Sequence, residues 1–157
     1  MKNVYIAVAV AAFGLMLNSC SVNDPLVFDD AFVFIEDENG TSSSKVQWQS
    51  QNYLVTYYIR FVAPAQSKDV TVTYELKVGD GLSEGKDYRI VSSSSSPVTF
   101  SPGIYKVPIR IEWLRNELDS SKDNSLTIIL TGCSLNDSSV GKPGPDKAGS
   151  SYKITKE

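Results

Sequence analysis

Cys20 is the residue in this chain whose surroundings most directly prescribe a reaction. It closes Leu17-Asn18-Ser19-Cys20, behind a start that carries Lys2 and an uncharged apolar run from Val4 to Leu17. A basic start, a short apolar segment and small residues at the cut describe a secretory leader. A cysteine at that cut adds a thiol open to diacylation by thioether chemistry before cleavage, as in bacterial lipoprotein leaders. The expected mature chain begins at lipidated Cys20 and is held to a bilayer by its acyl chains. The apolar run falls short of the ~20 residues that span a membrane, so it is not read as a permanent helical anchor.

Other chemistry is narrowed by what is missing. Histidine is absent from all 157 residues. That excludes a Ser-His-Asp or Cys-His site, a histidine zinc site and an imidazole proton shuttle. Carboxylate pairs of the glycosidase type survive, but they need a cleft that holds two acids ~5–10 Å apart. A non-catalytic protein is the expectation. Nucleic acid is not an expected partner, because 15 Lys and Arg against 18 Asp and Glu leave no basic patch to neutralise phosphates. With Cys20 acylated, Cys133 has no cysteine to pair with, so the fold rests on its core, and Cys133 reads as a small buried apolar residue.

Aromatic rings that stack on sugar faces offer a second kind of chemistry. Trp48 lies in Gln47-Trp48-Gln49-Ser50-Gln51, where amides suit hydroxyl recognition. Tyr58 is out of phase with the apolar row of its segment and shares a face with Arg60. Trp48, Tyr58 and Arg60 together form the candidate glycan patch; the alternative is an ordinary amphipathic sheet surface. Trp113 falls in phase with an apolar row and reads as core.

The elements that must position these residues are strands. Tyr53, Val55, Tyr57, Ile59 and Phe61 alternate with neighbours that include Thr56 and Arg60, Val70, Val72, Tyr74, Leu76 and Val78 alternate with Thr71, Thr73, Glu75 and Lys77, and Tyr105, Val107, Ile109, Ile111 and Trp113 alternate with Lys106, Pro108, Arg110 and Glu112. Period two marks half-buried strands. Pro108 inside the last row implies a sheet edge or a bulge. Weaker strands are expected at Ala31–Glu36, Lys86–Val91, Pro97–Phe100, Ser125–Thr131 and Ser151–Thr155, separated by Gly and Pro turns at residues 38–40, 79–81, 101–103 and 141–145. Roughly seven or eight strands in one domain predict an all-β, antiparallel immunoglobulin-like sandwich. The expected organisation is a leader over residues 1–19, a lipidated tether over 20–30 and the sandwich over 31–157.

The order Gly85-Lys86-Asp87-Tyr88, Pro97-Val98-Thr99-Phe100-Ser101-Pro102-Gly103, the strand from Tyr105 to Ile111, Ser125-Leu126-Thr127-Ile128-Ile129-Leu130 and the closing Gly141-Lys142-Pro143-Gly144-Pro145 resembles the Calx-beta sandwich. It is especially similar to Calx-beta-like domains of small Bacteroidota surface lipoproteins. The resemblance implies a Gram-negative host, an outer-membrane, cell-surface address, and a role beside nutrient-uptake machinery built from a glycan-binding lipoprotein and a transporter. It also raises calcium, which some Calx-beta domains bind through acidic loops at one end. Calcium needs six to eight oxygen ligands, and the candidates are Glu36, Asp37, Glu38, Asp87, Asp119 and Asp123. The loop from Arg115 to Asp123 departs from the calcium-binding pattern, with two cations and no consecutive acids, and Asp87 has an alternative reading as a partner for turn backbone. The expected function is a glycan-binding or accessory module of an uptake complex, with no cofactor besides the acyl lipid. The alternative is a structural adhesive or assembly domain that contacts only other proteins.

Overall fold

Alternation decides which face each strand buries, and the computed structural model follows it closely. It describes residues 30–48, 51–64, 66–92, 96–135 and 139–157. Cys20, its leader and the tether up to residue 29 lie outside the described residues. The described chain forms nine strands: β1 (Phe32–Glu36), β2 (Ser43–Val46), β3 (Tyr53–Val62), β4 (Val70–Val78), β5 (Tyr88–Ile90), β6 (Val98–Phe100), β7 (Lys106–Trp113), β8 (Ser125–Cys133) and β9 (Ser151–Lys156). They make a four-stranded sheet ordered β1-β3-β7-β5 and a five-stranded sheet ordered β2-β9-β8-β4-β6. The protein is therefore an all-β, immunoglobulin-like sandwich.

The two inner faces meet through the rows read from the sequence. Tyr57, Ile59 and Phe61 of β3, Val70 and Val72 of β4, and Ile109, Ile111 and Trp113 of β7 are buried together with Leu126 and Ile128 of β8 and Tyr152 and Ile154 of β9. Rings bridge the layers: Tyr57 and Tyr152 lie 5.0 Å apart and Phe61 and Phe100 5.8 Å apart, within the range of tilted aromatic contact. Cys133 is free and buried, as expected of a small apolar side chain.

Three details differ from the sequence reading. β2 was not anticipated, because Ser43-Ser44-Lys45-Val46 carries one apolar residue and no period. It becomes a strand by pairing with the edge of β9, and the pairing is parallel, with Ser43 opposite Lys153 and Val46 opposite Lys156. Tyr105 leaves its row: it stands before β7, is 41% exposed, and stacks on Phe61 at 6.0 Å. β5 is shorter than expected, since Lys86 and Asp87 belong to the turn before it.

Pro108 sits where the missing N–H does no harm. Phe61 donates its N–H to the Tyr105 carbonyl, which phases the β3–β7 ladder so that the even residues of β7 point their N–H side away from β3. Tyr58 faces Pro108 across that ladder, while on the other side β5 pairs no further than Ile90 with Ile111. Among the described residues no strand pairs with β7 at Pro108 on that side.

The edge of β1 is covered rather than open. Gly141 donates to the Val33 carbonyl and Ile35 to the Gly149 carbonyl, both at 2.8 Å, so the segment after residue 139 runs along β1. Lys142 places its ammonium 4.4 Å from the Phe34 ring centroid, capping the outward aromatic. Gly141 is required here, because its φ of +84° and the 2.5 Å between an added Cβ and the Lys147 carbonyl exclude any side chain. A covered edge resists pairing with another chain.

The strands run between two ends. At one, β3 and β5 begin, β4 and β7 end, and the turn holding Asp87 meets β9; we call it the clasp end. At the other, Asp30 enters β1, β3 passes to β4, and β6 turns into β7; we call it the entry end.

Candidate functional site

Lys156 explains how the clasp end is built. In β9, Tyr152, Ile154 and Lys156 share the inward face. The strand therefore aims a cation into the core, and the side chain is 1% exposed. Its Nζ donates to three oxygens: the Leu114 carbonyl at 2.8 Å, the Asp87 carbonyl at 3.1 Å and Asp87 Oδ1 at 3.2 Å. A buried ammonium is tolerated only when its protons are taken up in this way.

Asp87 is the hub of the same cluster. Its Oδ2 accepts the Ser83 N–H at 3.0 Å and its Oδ1 accepts Asn116 Nδ2 at 2.8 Å. Its own N–H donates to the Ser83 carbonyl, and its carbonyl accepts the Leu114 N–H. One aspartate thus joins the β4–β5 loop, the β7–β8 loop and β9. Burial opposes its ionisation, yet the donors Asn116, Ser83 and Lys156 outweigh that and hold the carboxyl below the ordinary aspartate range. Burial likewise pulls the Lys156 ammonium downward, with Asp87 opposing.

The loops above are locked to one another. Gly79 packs against the Asp123 backbone, where an added Cβ would lie 2.1 Å from the carbonyl oxygen. Asp80 Oδ1 accepts the Asp123 N–H at 2.9 Å, and Asn124 Nδ2 donates to the Asp119 carbonyl at 2.8 Å.

The acids nominated from the sequence do not converge. Glu36 pairs with Arg60 and with Lys142 across the outward face of the four-stranded sheet. Asp37 accepts the N–H groups of Asn39 at 3.0 Å and Thr41 at 2.8 Å. Glu38 accepts the Tyr58 hydroxyl. Asp119 turns back on Ser121, and Asp123 accepts the Ser125 N–H. Asp87 takes the turn-backbone role and adds an ammonium. Among the described residues no three acidic, histidine or cysteine side chains are placed to hold a metal. Six to eight converging oxygens are not assembled from this set, and the oxygens that do converge are filled by Lys156.

The aromatic patch also divides. Tyr58 and Arg60 lie on the outward face of the four-stranded sheet, where Lys106 Nζ sits 3.5 Å from the Tyr58 ring centroid and covers one π-face. Trp48 stands at the clasp end instead, tied by its N–H to the Glu157 carbonyl at 2.9 Å. There it lines a groove of about 460 Å³ with Leu118, Ser120, Lys122, Asn124 and Lys156. The groove sets a half-buried indole beside hydroxyl, amide, ammonium and carboxylate groups, the last from Asp123 and Glu157. Sequence reasoning missed Lys156 and Asn116. The signal for Lys156 was available: carrying the Tyr152, Ile154 alternation one step further places a lysine on the buried face. Asn116 left none, because its role exists only after two loops meet.

No family model and no curated protein matches the sequence. Solved structures similar to this chain include the calcium binding domain CBD12 of CALX1.1, at 18% identity and a TM-score of 0.47 over 78% of this chain and 43% of that one. The apo-form Calx CBD1 domain is similar at 20% identity and a TM-score of 0.45, over 80% of this chain and 98% of that one. CBD12 from CALX1.2 is similar at 19% and 0.45, over 79% of this chain and 44% of that one. This chain thus spans less than half the length of two of these structures.

Proposed function

We propose that the protein is a non-catalytic module, tethered through acylated Cys20 to the outer membrane, that presents its clasp end to a glycan or to a neighbouring uptake complex. The observation that carries this reading is the position of the Trp48 groove at the end opposite Asp30. A chain fixed through residue 20 enters the sandwich at one end and leaves the groove at the far end, facing outward. The nominated acids Glu36, Asp37, Glu38, Asp87, Asp119 and Asp123 hold internal partners, which supports binding rather than turnover. Of the three residues nominated for sugar contact, Trp48 keeps the role in this reading; Tyr58 and Arg60 are engaged by Lys106, Glu38 and Glu36 on a different surface.

Two measurements test it. Cells grown with radiolabelled palmitate yield a labelled protein, and Cys20→Ser removes the label; label in neither refutes the tether. On a glycan array, binding is expected to fall at least tenfold with Trp48→Ala, while melting stays a single cooperative transition lowered by only a few degrees, as a loss of about 1 kcal/mol from a half-buried side chain implies. Absence of binding to every glycan, with retention of envelope proteins in a crosslinked pull-down, favours the purely structural module.

A further inference from the structure

The entry end carries an unusual share of exposed apolar surface. Among the described residues five large hydrophobics are exposed: Leu54, Val91, Ile104, Tyr105 and Leu135 at 54, 40, 48, 41 and 43%. Ile104, Tyr105 and Leu135 all stand at this end. Leu135 lines a groove of about 330 Å³ there with Ala31, Phe61, Ala63, Lys68 and Asp69. The three exposed side chains are held out by ordered backbone. Ile104 donates its N–H to the Ser101 carbonyl in the β6–β7 turn, and Ser134 donates its N–H to the Thr71 carbonyl while its Oγ accepts the Thr71 N–H. Tyr105 rests flat on Phe61, with an interplanar angle of 11°.

Charge at this end is sparse. Asp30, Lys68, Asp69 and, directly after Tyr105, Lys106 are charged groups of this end among the described residues, whereas the clasp end gathers Asp80, Glu84, Lys86, Asp87, Arg115, Glu117, Asp119, Lys122 and Asp123. Chain length then limits what this surface meets. Nine residues separate Cys20 from Asp30, so even fully extended the ten steps between them reach at most ~35 Å. The sandwich is of similar length along β3, about 33 Å at the usual strand rise.

We infer that Ile104, Tyr105 and Leu135 form a docking surface for the phospholipid interface of the membrane, which seats the entry end on the bilayer and holds the Trp48 groove away from it. The inference rests on the tether proposed above, and it adds an orientation that a tether alone does not fix. Tyrosine suits the headgroup boundary, with an apolar ring and a polar tip, and Ile104 and Leu135 supply the apolar contact on either side. Such a patch acts as a second, weak membrane signal beside the acyl chains.

Quenching by bromine locates the contact. The acylated full-length protein carrying Ile104→Trp is reconstituted in phosphatidylcholine vesicles with brominated acyl chains. The introduced indole is expected to lose at least half its emission while the native indoles Trp48 and Trp113 lose less than a tenth. Adding Tyr105→Glu and Leu135→Glu restores the emission without releasing the protein from the vesicles. An unquenched introduced indole on protein that still floats with the vesicles overturns the docking surface and leaves the tether standing. If acylation itself fails, the unacylated chain is floated against millimolar phosphatidylcholine: a bound fraction lost on Ile104→Glu with Leu135→Glu supports the surface, and no bound fraction overturns it. A dimer in vesicle-free solution that Leu135→Glu dissolves, without quenching on vesicles, assigns the patch to a second copy and also overturns it.

Discussion

The two ends of this sandwich solve opposite problems with the same strands. At the clasp end, the core opens onto loops rich in carboxylates, and an aspartate and a lysine are drawn inside to hold three chain segments together. At the entry end, the β6–β7 turn and the segment after β8 carry hydrophobic side chains past the core into solvent. The first end owes its order to polar groups that satisfy one another. The second owes its order to turns, and leaves apolar side chains without cover. The contrast teaches that the interior polar pair supplies definition to loops that have few apolar residues of their own.

Removing one member of the pair should test that most severely. Lys156→Ala leaves a buried carboxylate facing two carbonyls, and breaking a buried ion pair from one side costs about 3–5 kcal/mol. Urea unfolding of the full chain should show a loss of that size. Lys156→Met with Asp87→Leu should recover most of it, because an apolar replacement of both partners removes the uncompensated charge. If Lys156→Ala costs less than about 1 kcal/mol, the clasp does not organise this end.

Acid gives a milder contrast. Asp87 has a native pKa below its unfolded value of 3.8, so the unfolded state binds its proton first as pH falls. The contribution is complete above pH 3.8 and is lost as pH falls through the lower native value. Urea midpoints measured from pH 7 to pH 2 should therefore decline in the acid limb, and Asp87→Asn should flatten that decline while lowering stability at neutral pH.

The smallest effect belongs to the entry end. Ile104→Glu with Leu135→Glu should change unfolding free energy by less than about 1 kcal/mol, since both side chains are already wet. Vesicle contact, not stability, is where this change should register. A large loss of stability would mean that these side chains complete the core and that the two ends differ less than described.

Much of the architecture was legible because alternation is a direct record of sheet burial. The rows in β3, β4 and β7 mark inward residues from Tyr57 to Trp113, with Tyr105 the exception that leaves its row. Turn residues did the same for the reversals at Gly40, Gly103 and Gly141, each at positive φ. β2 was illegible for a physical reason: its strand character comes from a neighbour far along the chain. The candidate site was read less well. Glu36, Asp37, Asp119 and Asp123 were grouped by residue type, but each loop turns its acid toward its own backbone or a nearby cation. Tyr58 and Trp48 were grouped by exposure, yet they occupy different surfaces. Sequence carries periodicity well and convergence poorly, since convergence depends on which loops meet.

The parallel union of β2 with β9 sets an order of events. β2 has no neighbour in its sheet until residues 151–156 arrive, and Tyr152, Ile154 and Lys156 fill the middle of the core only then. Contacts spanning more than a hundred residues slow folding toward the millisecond-to-second range of β proteins. A nascent polypeptide of this kind cannot complete its five-stranded sheet until residues 151–156 have been synthesised.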